Sequence, residues 1–164
     1  MKFKKVVYFN GKYVAVPVIY DTDNTTLLYN NLYYSDDLET WTQCSMGTYM
    51  DHAVADICVG KNYICCIDYD AGKNANNQYI STSYSTDGIT FNASFSNSYH
   101  RFACAYDINN DKYLIIDDIG VSIDNDKGDV GRNCYKVTST NAVAITVNNK
   151  VYCANNLGLS LIHI

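Results

Sequence analysis

Two stretches of this chain set an aromatic ring beside polar or charged neighbours, and they stand 50 residues apart. Tyr49-Met50-Asp51-His52 answers to Tyr99-His100-Arg101-Phe102. An aromatic face stacks on a sugar ring, and an adjacent polar group fixes the hydroxyls. Tyr49, Asp51, His52, Tyr99, His100 and Arg101 are therefore the candidate ligand-binding residues. A plainer reading keeps Tyr49 and Tyr99 as rings packed between sheets, since large rings fill interiors. No catalytic residue is expected. There is no Gly-x-Ser-x-Gly elbow and no Gly-rich phosphate loop, and the three histidines lack a spaced metal partner. Asp21, Asp23, Asp51 and Asp70 offer carboxylates, but aspartates in loops are mostly turn formers. Asp124 to Asp129 looks superficially like a calcium loop. Its Gly128 is misplaced and no Glu follows, so neither a metal nor a cofactor is expected.

The elements that would carry these residues repeat. Tyr13, Tyr63 and Tyr113 are spaced by 50 without a gap, as are Tyr29 and Tyr79, Ala53 and Ala103, and Asp68 and Asp118. A fixed period of this size marks a repeat architecture. Each repeat opens with two β-rich runs around a turn. Val6 to Phe9 and Tyr13 to Val16 flank Asn10-Gly11, a strong hairpin signal. Ala55 to Val59 and Tyr63 to Ile67 form the second pair, Ala103 to Ile108 and Tyr113 to Ile116 the third, Ala142 to Val147 and Val151 to Cys153 the fourth. No window carries a capped helical period. The expected fold is all-β, with β-propeller blades of four antiparallel strands: about three blades plus one hairpin, an incomplete ring. The blades fall at about 1–46, 47–97 and 98–140, with a fourth starting at 141–158. Repeat three is shortened between its second and third strands, and Ser122-Ile123-Asp124 reads as a decayed copy of the motif described next.

That motif joins the third strand of a repeat to the fourth. Tyr34-Ser35-Asp36-Asp37-Leu38-Glu39-Thr40-Trp41 returns as Tyr84-Ser85-Thr86-Asp87-Gly88-Ile89-Thr90-Phe91. Ser and Asp side chains can bond the amides of their own turn, and Gly88 tolerates positive φ. Trp41 and Phe91 are then placed to pack between sheets. The motif resembles the Asp-box (BNR repeat) of the sialidase-like β-propellers, one residue shorter than the long form. The resemblance makes Ser35, Asp37, Thr40, Trp41, Ser85, Asp87, Gly88, Thr90 and Phe91 structural, on the face away from the ligand. In a four-stranded blade the strand-two-to-three loop and the link to the next blade share the opposite face. That face should carry 21–26, 49–52, 70–77 and 99–101. The resemblance also implies a test for sialidase chemistry: three arginines around a carboxylate, and a Tyr nucleophile with a Glu partner. This chain has two arginines, Arg101 and Arg132, and its single glutamate, Glu39, lies inside a box.

Composition narrows the class. Hydrophobic residues at 48% against 18% charged mark a globular chain. A net charge of −5 without a basic cluster argues against nucleic acid or a membrane surface as partner. The apolar run after Lys5 is too short for a signal peptide. Seven cysteines, an odd number without metal spacing, read as buried thiols, which points to the cytoplasm or a virion. An array of this length leaves strand edges and apolar faces open, so the chain reads as a fragment. Leu159 to Ile164 back-translates to something like a transposon-end adapter, and 159–164 are set aside as a non-native tail. The expected function is a non-catalytic binding or structural module. A glycan, or another virion or cell-surface protein, is the expected partner, as in a phage tail. The rival is a fragment of a sialidase-like glycoside hydrolase whose active residues lie in missing blades.

Overall fold

The computed structural model describes residues 1–18, 31–46, 54–73, 79–96, 101–109, 111–117, 120–125, 129–135, 143–147, 150–155 and 158–160. All regular structure among them is β, as expected. The first sheet runs in the order β1 (Phe3–Phe9), β2 (Lys12–Pro17), β3 (Tyr33–Ser35) and β4 (Thr42–Gln43), every neighbour antiparallel. Asn10 and Gly11 both hold positive φ, at 47° and 83°, so the two-residue turn matches the twist of its strands. Pro17, which has no N–H to donate, is the last residue of β2.

Past Cys44 the chain changes sheets. The Cys44 N–H still donates to Leu32 in the first sheet, while the Ser45 N–H donates to Ile89 in the second. β5 (Ser45–Met46) therefore pairs in parallel with β9 (Thr90–Ser96), a departure from the purely antiparallel blade expected. The rest of that sheet is antiparallel and contains β6 (Val54–Val59), β7 (Ile64–Lys73) and β8 (Tyr79–Ser85), in the order β5-β9-β8-β7-β6. The physical gain is that β5 covers an outer edge that would otherwise offer unpaired backbone groups.

The third sheet is β10 (Arg101–Asp107), β11 (Lys112–Asp117), β12 (Gly120–Asn125) and β13 (Asp129–Tyr135) in sequence order. Asp117 pairs directly with Gly120, which is where this repeat lost its loop. Ser122-Ile123-Asp124 lies inside β12 opposite Ile115, Leu114 and Tyr113, so it makes no turn. Asn125 pairs with Asp129, and 126–128 of the calcium-like stretch lie outside the described residues. A three-stranded sheet follows, β14 (Val143–Val147), β15 (Lys150–Asn155) and β16 (Gly158–Ser160). Leu159 and Ser160, the first residues of the tail set aside above, are thus paired with β15, and 161–164 lie outside the described residues.

Successive sheets stack face to face. Phe9, Val14, Val16 and Leu32 of the first share a core with Ile57, Ile64, Cys66 and Phe91 of the second. Cys58, Cys65 and Ile67 of the second share another with Cys104, Tyr106, Tyr113 and Ile115 of the third. The first strands lie together. Lys5 Nζ is 2.7 Å from Asp56 Oδ1, and the Cys104 N–H donates to Asp56 Oδ2 at 3.0 Å.

The three tyrosines 13, 63 and 113 do not occupy one environment. Tyr13 and Tyr113 share a register position, each in the second pair from its turn with a tyrosine opposite in the neighbouring strand, but Tyr113 is buried and Tyr13 only half-buried. Tyr63 instead ends its turn, where its carbonyl accepts from the Gly60 N–H at 2.8 Å, and Ile64 makes the first pair, with Val59. The Tyr113 hydroxyl reaches across the sheets and donates to that same Tyr63 carbonyl at 2.6 Å. It does so over Gly60, where an added Cβ would lie 2.0 Å from the hydroxyl oxygen. Tyr113 is buried and cannot swing aside. Gly60→Ala should therefore destabilise the protein by about 1–3 kcal/mol through overpacking. Urea unfolding of the variant measures this; an unchanged midpoint would show that the tyrosine yields freely.

Candidate functional site

The two Ser-Asp turns are built alike, bond for bond. Ser35 ends β3, and its Oγ accepts from the amides of Asp37 and Leu38 at 3.2 and 2.9 Å. The same hydroxyl donates to Asp37 Oδ1 at 2.9 Å, and that oxygen accepts from Glu39 and Thr40 at 2.9 and 2.8 Å. Ser85 repeats this with the amides of Asp87 and Gly88 at 3.3 and 2.9 Å and with Asp87 Oδ1 at 2.7 Å. Asp87 Oδ1 accepts from Ile89 and Thr90, both at 2.8 Å. The amides of Thr40 and Glu39, then the Ser35 hydroxyl, hold the Asp37 carboxyl below its ordinary pKa. Burial works against the charge of Asp87, but the amides of Thr90 and Ile89 and the Ser85 hydroxyl outweigh it, and its pKa is lowered too. The hydrogen-bonding oxygens of these turns are engaged in shaping backbone.

The copies differ at one backbone position. Gly88 holds φ at 75° and Leu38 holds φ at 68°. Gly88 is buried against the first hairpin: a Cβ there would meet Val14 Cγ2 at 3.1 Å, and Asn10 Nδ2 donates to the Thr86 carbonyl close by. Leu38 is 51% exposed. The aromatic residues closing the turns differ as well. Phe91 is buried, as expected, whereas Trp41 is only half-buried, with its indole N–H on the Leu38 carbonyl at 3.2 Å. Phe91 gains the core between two sheets; the other side of the first turn has no sheet against it among the described residues.

Of the candidate ligand residues, Tyr49, Asp51, His52, Tyr99 and His100 lie outside the described residues. Arg101 opens β10, paired with Asp117, and its side chain is not described. The described residues do form an open cavity of ligand size on the other face, beside the hairpin turns. A cavity of about 530 Å³ lies between the β6–β7 and β10–β11 turns, lined by Val59, Gly60, Lys61, Tyr106, Ile108 and Asp111. Its walls are mainly apolar. Opposite charges from Lys61 and Asp111 stand at its sides, and the Tyr106 hydroxyl is hydrogen-bonded to Asp111. Sequence reasoning passed over it because none of its residues forms a chemical motif. The usable signal was the period itself, since equal turns of successive sheets must border one gap.

The five described cysteines, Cys44, Cys58, Cys65, Cys66 and Cys104, are buried thiols. Burial, with Asp87 nearby, pushes Cys44 up to about 12, and burial likewise raises Cys58, Cys66 and Cys104. Thiols so raised make poor nucleophiles. No group of three or more His, Cys, Asp or Glu among the described residues could hold a metal ion.

The stacked sheets and their repeated turns define a β-propeller-type fold. Comparison with known proteins agrees at that level. The solved structure of YCF48 bound to D1 peptide, a β-propeller, superposes with a TM-score of 0.52 at 10% identity, covering 92% of this chain and 45% of that one. Apo AztD from Citrobacter koseri gives 0.49 at 9% identity, covering 98% of this chain and 47% of that one. The chain thus spans less than half the length of either structure. No family model and no curated protein matches it.

Two outcomes follow from the turns. A leucine in the left-handed region costs roughly 1–2 kcal/mol, part of which a glycine's extra unfolded-state freedom offsets. Leu38→Gly should therefore raise stability by roughly 0.5–1 kcal/mol, read as a shift in the urea midpoint, whereas Gly88→Ala should lower it. The carboxyls of Asp37 and Asp87 titrate lower in the fold than in the unfolded chain, where about 3.9 is usual. Their stabilisation is complete above that unfolded value and is lost as pH falls through the lower folded values. Melting temperature should drop with acid below about pH 4, and Asp37→Asn with Asp87→Asn should flatten that drop.

Proposed function

We propose that this chain is part of an Asp-box β-propeller of the sialidase-like type and serves as a non-catalytic module that binds a glycan. The four sheets are its successive blades, at about 1–46, 47–97, 98–140 and from 141 on. The observation that carries the reading is the paired hydrogen-bond network of Ser35 with Asp37 and Ser85 with Asp87, which uses the motif's oxygens to hold turns. A repeat so built keeps its recurring polar chemistry on one face and leaves the opposite face for ligand. On that face the linkers supply Tyr49, Asp51 and His52, then Tyr99, His100 and Arg101. Rings beside polar groups suit sugars, with stacking for affinity and hydrogen bonds for orientation.

Hydrolysis is not expected of the chain as it stands. Two arginines do not make a three-arginine clamp, and Glu39 sits in a turn on the wrong side for activating a tyrosine. A virion or phage-tail surface suits a low-charge, tyrosine-rich glycan binder, and an unrelated protein surface is the alternative partner. Glycan-array binding and fluorogenic sialoside turnover, run on the same preparation, test this. Binding should fall at least tenfold in Tyr99→Ala and Arg101→Ala while melting temperature holds, and turnover should be absent. Turnover that disappears with those substitutions would replace the binding module by a glycoside hydrolase.

A further inference from the structure

We propose that the cavity between the β6–β7 and β10–β11 turns binds a small zwitterion, an amino-carboxylic acid whose ammonium and carboxylate are separated by an apolar body. The cavity measures about 530 Å³, and sites for small organic ligands run from about 300 to 1,000 Å³. Its two walls come from successive sheets. Val59, Gly60 and Lys61 belong to the β6–β7 side, and Tyr106, Ile108 and Asp111 to the β10–β11 side. None of these residues belongs to the glycan-binding set, so this site stands or falls independently of that reading.

The apolar body of the ligand follows from the walls. Val59 and Ile108 supply aliphatic surface and Tyr106 an aromatic ring. Gly60 supplies bare backbone, since the Tyr113 hydroxyl occupies the space its side chain would need. Ile108 is 54% exposed and Val59 is half-buried, although both line the cavity. Large aliphatic side chains left in water beside a concave, mainly apolar surface gain by being covered. A sugar, with a hydroxyl on nearly every carbon, would leave hydroxyls unpaired against such walls.

The charges come one from each turn. Lys61 stands on the first and Asp111 on the second, and both border the same apolar surface. The ion pairs among the described residues are Lys5 with Asp56 and Lys12 with Asp36, so neither Lys61 nor Asp111 is neutralised by a partner ion there. Asp111 is held in place: its φ of 54° belongs to the turn, and the Tyr106 hydroxyl donates to its Oδ1. A carboxylate positioned in this way has further lone pairs for an ammonium and loses little freedom in binding one. Lys61 offers three N–H donors to a carboxylate. A ligand with a single charge would meet one complementary group and one of its own sign, whereas a zwitterion of matching length satisfies both.

Amide NMR of the isotope-labelled chain, titrated with straight-chain ω-amino acids from aminobutanoate to aminooctanoate, tests the site. Saturable shifts centred on Gly60, Lys61 and Ile108 are expected for at least one length. The alkylamine and the fatty acid of that length should each bind about threefold or more weakly. Asp111→Asn, which keeps an acceptor for the Tyr106 hydroxyl, should weaken the amino acid by about the same factor and spare the fatty acid. Lys61→Gln should weaken the amino acid and spare the alkylamine. Melting temperature should hold in both variants, since both residues are exposed. No saturable shift at any length, shifts centred elsewhere, or an affinity indifferent to either substitution would overturn the proposal.

Discussion

A single buried carboxylate ties the first strands of three consecutive sheets. Asp56 receives the Lys5 ammonium from the first sheet, the Ile57 amide from its own strand and the Cys104 amide from the third sheet. A buried charge is tolerated only when it is paired and its remaining lone pairs are satisfied, since its desolvation is otherwise expensive. Here both oxygens are used. The arrangement fixes how far each sheet rotates from the one before, because Lys5 and Cys104 approach from opposite sides. The two apolar cores depend on that rotation: Val14 with Ile57 and Ile64 on one side, Cys58 and Cys65 with Tyr113 on the other.

Outward from this centre, the sheets are joined by contacts that need absent side chains as much as present ones. Gly60 leaves room for the Tyr113 ring, and Gly88 leaves room for Val14 and the Phe9 carbonyl. At the periphery the crossing of β5 onto β9 stitches the first sheet to the second and hides an edge. The Gly60 fit lies between the second and third sheets, and the Gly88 fit and the β5 crossing lie between the first and second. On the first sheet Leu38 stands where the second has Gly88, and Leu38 and Tyr8 are exposed.

The same economy bears on function. The Ser-Asp turns are the most motif-like residues in the chain, and the side-chain bonds of Ser35, Asp37, Ser85 and Asp87 are internal to the turns. Buried thiols are held as thiols by desolvation. An apolar cavity between turns, lined by Tyr106 and Asp111, is left of a size for a ligand.

Local chemistry was legible in the amino-acid sequence. A period of 50 and Asn-Gly at a turn foretold hairpins at equal phase, and Ser-x-Asp foretold self-bonded turns with positive φ at Gly88, because each of these depends on neighbours within a few residues. Phe91 was likewise expected inside, and it is. The place of Tyr63 in its turn rather than in the ladder, the parallel pairing of β5, the half-burial of Trp41 and the cavity at Lys61 were not legible. Each depends on which surface of the next sheet arrives at that point, a contact between residues some fifty positions apart that equal spacing does not specify. The sequence by itself determined the strands, the turns and their repetition. Only the tertiary structure decided which face of each strand is covered, because a hairpin's register, set by how its turn closes, sends every side chain to one side of the sheet or the other.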